Sequence, residues 1–355
     1  MREILVAGAR LALSVAFLLL ATGCGREQVY QQESYVFGTR VEVLIQGAPP
    51  DKARAAAAAV LREFDRLHRT LHAWQPSELT RLNDAIARGE PDVELTAELA
   101  AIVADAARIA AVSDQLFDPA IGKMIGLWGF QSDEFKPLLP PAAEIERLAR
   151  ERPAMTDLAV DGARITSRNA AVRLDLGGYA KGYALDRAAA ILRAQGIRNA
   201  LINIGGNVMA LGDKGGRPWR VGIQHPRAPM PIAMLELRDG EAIGTSGDYQ
   251  RYFEVDGKRY CHILDPRTGW PAQGTQAVTV LVVPGSPRSA AVGALSDAAS
   301  KPLFIAGAGA WREMARRLDI DHALRIDASG SIAATRALRE RLTFAEDAPA
   351  VEVIE

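Results

Sequence analysis

The chain has 355 residues, 48% of them hydrophobic, which is enough apolar content to bury a core for one large or two ordinary domains. Its 42 basic and 43 acidic side chains leave a formal net charge of −1, with both signs interspersed, a balance that gives no reason to expect a nucleic-acid partner. Alanine-rich runs and an aromatic content of only 6% favour helices over an all-β architecture.

At the N-terminus, Arg2 and Arg10 precede an apolar run over residues 11–20 that ends in Ala21-Thr22-Gly23-Cys24. The run is short for a membrane span and suits a secretory core segment. Its end resembles a bacterial lipobox, which predicts a lipoprotein signal peptide over residues 1–23, cleavage before Cys24 and lipidation of that thiol. A plain signal peptide or an uncleaved anchor is the other reading. With Cys24 lipidated, Cys261 is the only cysteine left, so no intrachain disulfide is expected even in an oxidising compartment. Residues 24–33 read as a polar tether, 34–345 as the globular domain and 346–355 as a C-terminal tail.

Residues 35–45 alternate as a first strand, with Phe37-Gly38-Thr39 inside it, and a glycine within a strand marks close approach of backbone or ligand. After Pro49-Pro50, residues 51–71 read as a helix with Leu61, Phe64, Leu67 and Leu71 on one face. His68 and His72 have a spacing that can hold a metal, but with no third ligand nearby they read as surface or packing residues. Trp74 suits either a core position or a stacking platform, and Pro76 and Ser77 fit a turn and a helix cap. Residues 95–112 form a second amphipathic helix capped by Thr96. Asp118, ahead of Pro119, is expected to be extended at a loop edge. A proline-marked insertion over 134–141 leads to a short helix over 142–150.

Val160-Asp161-Gly162-Ala163 predicts a hairpin that leads to a strand at Val172-Arg173-Leu174. That strand feeds Asp175-Leu176-Gly177-Gly178-Tyr179-Ala180-Lys181-Gly182, a glycine-rich turn opening an alanine-rich helix. The glycines serve either ligand approach with an anion at the helix start, or simple packing. With a strand over 199–211 the unit is βαβ-like, but its glycine spacing is not that of a dinucleotide fingerprint. Strands follow at 219–223 and 234–237, then a hairpin turning at Asp256-Gly257 that brings His262 and Asp265 to a strand end. There His262 is either a general base or a structural histidine, and Asp248 and Arg267 either act or tie down turns.

Nine motifs occur in order: the lipobox, Phe37-Gly38-Thr39, the stretch from Ser77 to Asn83, Phe117-Asp118-Pro119-Ala120-Ile121-Gly122, the run from Asp175 to Asp186, Asn203-Ile204-Gly205-Gly206-Asn207, Thr245-Ser246-Gly247-Asp248-Tyr249, the stretch from His262 to Gly269, and Ser296-Asp297-Ala298-Ala299-Ser300. Together they resemble the ApbE family of FAD:protein FMN transferases over residues 34–320. The resemblance implies an α+β fold, a mixed α/β, T-fold-like architecture with two lobes around a flavin nucleotide cleft. It also implies cleavage of the FAD pyrophosphate, transfer of FMN to a threonine of another protein and release of AMP.

Carried over by motif, Phe37, Trp74, Leu116, Phe117, Asp118, Asp175, Lys181 and Leu264 would bind the nucleotide. His262 would take the acceptor's proton with Asp265 beside it, while Gly178 and Asp297 would hold Mg2+. The implied acceptors are flavoprotein subunits of Rnf-type or sodium-pumping quinone-reducing complexes, reached from the periplasmic side of a membrane through lipid on Cys24. The alternative is a lipoprotein that holds or hydrolyses FAD without efficient transfer.

Two positions depart from the family. Phe37 stands where methionine is usual, a hydrophobic exchange. Lys301 stands four residues past Asp297, where relatives carry a threonine hydroxyl, and at helical spacing a lysine there can pair with the aspartate. Ser300 is one residue off register. The expectation is a magnesium site weakened but retained, water replacing the lost ligand; the other reading is that the Lys301 ammonium stands in for the ion electrostatically.

Overall fold

The computed structural model describes residues 29–132, 134–285, 291–346 and 348–355. The predicted signal peptide and Cys24 lie outside these residues. The frame is a nine-stranded sheet, and β3 (Val93–Glu94), β4 (Leu158–Asp161) and β5 (Arg164–Ser167) form a separate small sheet. In their order across the large sheet, its strands are β1 (Tyr30–Val36), β2 (Thr39–Gln46), β6 (Asn199–Ile204), β7 (Asn207–Leu211), β10 (Ala242–Gly247), β13 (Thr275–Val282), β14 (His322–Asp327), β15 (Ile332–Thr335) and β17 (Val351–Ile354). All neighbours pair antiparallel except β15 and β17.

Central strand β13 is buried along its whole length and shows why the sheet needs two covers. Val278, Val280 and Val282 join the core on one face, while Ala277 and Leu281 join the core on the other, the period-two alternation of a strand. Helices cover the first face: α1 (Pro50–Leu71), α2 (Glu78–Ala87), α3 (Ala97–Val112), α6 (Ala180–Ala194) and α7 (Val292–Arg317). A small sheet of β8 (Trp219–Gln224), β9 (Pro231–Leu237) and β16 (Leu342–Phe344) covers the second. A separate aromatic core forms the second lobe from α4 (Gly122–Leu127), α5 (Ala142–Glu151) and the hairpin β11 (Tyr252–Val255) with β12 (Lys258–Cys261). Within it Trp128, Phe253 and Tyr260 stack at 5.6–6.2 Å between ring centroids.

The local signals for helices are met. Proline opens α1 with Asp51 in its first turn, Ser77 and Thr80 close a reciprocal capping box on α2, and the Thr96 hydroxyl accepts the Leu99 N–H of α3. Four expectations are corrected. The first strand is a hairpin, turning through Phe37 and Gly38 with φ of 58° and 68°, the two positive values a type I′ turn demands. Phenylalanine is a poor residue for that conformation and gives no turn signal; the ring is held by packing near Phe64 and His68. Residues 30–33, read as tether, are part of β1, and the predicted tail supplies β17. No regular strand forms at residues 172–174. The backbone of Leu174 bonds instead to the side chain of Asn83, its N–H to Oδ1 at 2.6 Å and its carbonyl to Nδ2 at 2.9 Å. There is accordingly no βαβ unit, and β6 pairs antiparallel with β2.

Helices α6 and α7 touch backbone to backbone. A methyl group added at Gly182 would lie 2.2 Å from the Gly293 carbonyl oxygen, and one at Gly293 would lie 2.4 Å from that of Gly182. Asp186 of α6 accepts the N–H groups of Gly293 and Ala294 at 2.8 Å each, so one carboxylate caps the first turn of the neighbouring helix. This crossing brings the glycine-rich turn before α6 against Asp297 on α7.

Candidate active site

A cavity of about 500 Å³ opens between the helix-covered face and the aromatic lobe, within the range of small-molecule sites. Every residue expected at the site lines it except Asp265. The Asp265 carboxylate accepts from the backbone N–H of Arg267 at 3.0 Å and from its guanidinium at 2.7 Å, while the Asp265 carbonyl accepts from Gly269 N–H at 2.8 Å. Asp265 thus ties its own turn, because Asp-Pro-Arg-Thr-Gly closes on itself.

On the wall from the helical layer, Trp74 donates its indole N–H to Asp175 Oδ2 at 2.8 Å, and Arg173 lies over the Trp74 ring at 4.7 Å. The other oxygen of Asp175 accepts Gly177 N–H at 2.8 Å, so this carboxylate shapes the glycine turn. His72 Nδ1 accepts the N–H groups of Trp74 and Gln75 at 3.1 and 3.0 Å, which bears out its reading as a packing residue and explains how Trp74 is aimed. Among the described residues no cluster of three His, Cys, Asp or Glu side chains is placed to hold a metal. Leu116 and Phe117 are buried in the wall, and Leu264 closes it from the other side. The Asp118 carboxylate is turned into the protein, where it accepts Ala120 N–H at 2.9 Å and Met155 N–H at 3.1 Å. Burial outweighs those bonds and raises its pKa to about 7. Asp118 therefore staples the loop that carries Phe117 while lining the cavity.

The floor of the cavity is charged. Asp297, almost fully buried, accepts the Gly182 N–H on Oδ2 at 3.0 Å, and the same oxygen lies 4.0 Å from Lys181 Nζ. Lys301 pairs with Oδ1 and also donates to the Asp297 carbonyl at 2.7 Å. Burial pushes the Asp297 pKa up, but Lys181, Lys301 and the Gly182 amide together hold it below the usual carboxylate range. Lys181 also donates to the Gly177 carbonyl at 3.1 Å, which pins the turn to the helix. The anion predicted at the start of α6 is thus supplied by the protein itself, at least for the Gly182 N–H.

This donor set does not fit Mg2+ through Gly178 and Asp297. Both carboxylate oxygens are already engaged, and the stem of Lys301 lies against Gly178, where an added methyl would stand 3.3 Å from Lys301 Cε. A magnesium ion drawn to about 4 Å from that ammonium would meet a repulsion of about 8 kcal/mol at an effective dielectric constant of about 20. Ser300 offers no replacement oxygen: its buried hydroxyl donates to the Asp297 carbonyl at 2.7 Å and pairs with Ser246 at 2.7 Å. The pairing of Lys301 with Asp297 anticipated from their spacing is present, and together with the Gly182 N–H it occupies the carboxylate oxygens that a magnesium ion at Gly178 and Asp297 would use.

His262 follows β12 and lines the opposite side. Its Nδ1 lies 3.2 Å from the Arg251 carbonyl, which also accepts the His262 backbone N–H at 3.0 Å. A carbonyl can only accept, so Nδ1 carries the proton and Nε2 keeps the lone pair. Burial, then the positive charge of Arg251, holds the imidazole well below its usual pKa, and it is neutral at pH 7. Arg251 donates in turn to the carbonyls of Phe130 and Ser132 at 2.9 and 3.0 Å. Sequence reasoning missed Arg251, whose neighbours there come from a segment some 120 residues away. It also left Asn207 without a role: this side chain is 3% exposed, lines the cavity, and its Nδ2 has no partner among the described residues. A buried amide donor facing a cavity is suited to a nucleotide oxygen or ring nitrogen. Its only signal was its place after Gly205-Gly206.

The ApbE family model matches residues 37–324. An FAD:protein FMN transferase of Rhodobacter capsulatus is 44% identical over 312 residues, covering 88% of this chain; the chain spans only 58% of that relative's length. One from Vibrio cholerae is 31% identical over 275 residues, 76% of this chain and 81% of the relative. The crystal structure of the ApbE protein of Thermotoga maritima superposes with a TM-score of 0.78 at 31% identity, covering 88% of this chain and 99% of that one. The apo flavinyl transferase ApbE of Pseudomonas stutzeri gives 0.74 at 28% identity, covering 89% and 97%. Matched along most of its length by the family model, by relatives in sequence and by solved structures, the chain belongs to the ApbE family of flavin transferases.

Proposed function

We propose that this chain is an FAD:protein FMN transferase that holds FAD in the cavity and passes FMN to a threonine of another protein. The observation that carries the reading is His262: a cavity-lining imidazole whose Nδ1–H is fixed on a backbone carbonyl, leaving Nε2 as a neutral base within electrostatic reach of Lys181 and Lys301. The threonine hydroxyl gives its proton to Nε2, and its oxygen attacks the phosphorus on the flavin side of the pyrophosphate. A bond from threonine oxygen to phosphorus forms as the bridging P–O bond breaks, and AMP departs with that electron pair. Lys181 stands beside the negative charge that moves onto the leaving phosphate. Trp74, fixed by Asp175, offers a flat surface for one of the two ring systems. No step is assigned to magnesium, because the donor set does not fit it.

The test is to incubate the protein with FAD and a threonine-bearing acceptor, then to follow flavin fluorescence on the denatured acceptor together with AMP. Equal amounts of bound flavin and AMP are the expected result. AMP and free FMN without labelled acceptor would replace transfer by hydrolysis. The acceptor is proposed to be an exported or membrane flavoprotein subunit, of the Rnf or sodium-pumping quinone reductase type, and the chain to be held on the periplasmic side through lipid on Cys24. The lipobox and the family resemblance support both.

A further inference from the structure

Lys301 places an ammonium where the resemblance calls for a metal-binding oxygen. It stands one helical turn past Asp297 on α7, with its side chain 17% exposed and bonded to both the carbonyl and one carboxylate oxygen of that aspartate. The remaining carboxylate oxygen belongs to Gly182 N–H and faces Lys181 at 4.0 Å. We propose that the Lys301 ammonium replaces a divalent cation in this chain. With Lys181 it forms the counter-charge for the FAD pyrophosphate, so that nucleotide affinity is independent of divalent metal. The inference rests on the FAD reading of the cavity.

Three properties of the site support it. An ammonium has three N–H donors; the two bonds to Asp297 leave one for a phosphate oxygen at the cavity floor. The lysine stem is confined between Gly178 and the helix, so the charge is positioned in advance of binding. Two ammonium groups against one carboxylate leave a net positive floor, which attracts a doubly anionic pyrophosphate without any further ion. What the ammonium lacks is the ability to order several oxygens by coordination, so its part is that of a fixed charge.

The experiment is a pair of FAD titrations of the purified full-length chain, read by flavin fluorescence, one in EDTA and one in millimolar Mg2+. The two dissociation constants are expected to agree within about twofold. Lys301→Thr, which restores the hydroxyl and removes the charge, is expected to weaken FAD binding in EDTA by about tenfold or more and to recover on adding Mg2+. Lys301→Met, with neither charge nor oxygen, is expected to bind weakly in both buffers. Wild-type affinity that rises about tenfold with Mg2+, or Lys301→Met affinity equal to wild type in EDTA, would overturn the proposal. Denaturation midpoints establish that the variants fold; if they do not, the wild-type pair of titrations decides alone. A wild-type titration silent in both buffers would overturn the FAD reading itself, whereas metal-dependent binding would overturn only the role of Lys301.

Discussion

Gly182→Ala tests whether the helix crossing positions the charged floor. Alanine is the better helix former by about 1 kcal/mol, so an unobstructed site would gain stability. Here the new methyl would lie 2.2 Å from the Gly293 carbonyl oxygen and 2.7 Å from Asp297 Cβ. Reaching ordinary van der Waals contact requires α6 and α7 to part by about 1 Å, and overpacking of this kind costs about 1–3 kcal/mol. Separation also stretches the 3.0 Å bond from Gly182 N–H to Asp297 Oδ2. Losing a buried bond to a charged acceptor adds roughly 1.5–3 kcal/mol. The net expectation is a loss of roughly 1.5–5 kcal/mol after the propensity gain. FAD binding should weaken as well, because Lys181 and Lys301 are both set by Asp297. Gly309→Ala, in the first turn of α7 after its break at Gly307 and with nothing within 4 Å of the added methyl, is the control and should not lose stability. Urea unfolding midpoints and FAD titrations measure both variants. A Gly182→Ala protein as stable as wild type, with unchanged FAD affinity, would refute the reasoning.

His262→Ala should slow transfer by about a hundredfold or more with little change in FAD affinity, and unimpaired transfer would reject the base. Because burial and Arg251 hold the imidazole below its usual pKa, its reactive neutral form persists as pH falls through about 6.5, so kcat/KM should stay level between about pH 7 and 6; a tenfold fall per pH unit there would contradict the assignment. Asp118→Ala removes two backbone bonds and should cost about 1–3 kcal/mol by thermal or urea unfolding, whereas Asp118→Asn keeps an oxygen for both N–H groups and should cost under about 1 kcal/mol. Equal losses would argue against the loop staple. Cys24→Ser should release the protein from the membrane fraction and abolish labelling by palmitate, since stable anchoring needs the acyl chains; continued labelling would move the lipid elsewhere.

What the chain's order of residues determined by itself is whatever depends on neighbours a few positions away. The boundaries and faces of α1 and α3 follow from apolar period and caps, and the pairing of Lys301 with Asp297 follows from one helical turn. The motif order likewise led to the family and to expected site residues that, apart from Asp265, all line the cavity. Tertiary structure decided what depends on distant partners. Phe37 turns the chain against its own propensity because Phe64 and His68 receive its ring. Residues 172–174 form only an isolated parallel bridge, Arg173 with Ile121, while the Asn83 side chain takes both backbone groups of Leu174. The last residues become β17 because β15 presents an open edge to them. The role of His262 turns on the Arg251 carbonyl, which fixes which ring nitrogen bears the proton. The strength of the Lys301 pairing turns on Gly182 and Gly293, whose missing side chains let α6 approach α7 closely enough to bring Lys181 and a backbone amide to the same carboxylate. Local sequence specifies which groups exist and how they repeat; only packing fixes which buried polar atoms share a partner, and in this cavity that sharing sets the chemistry.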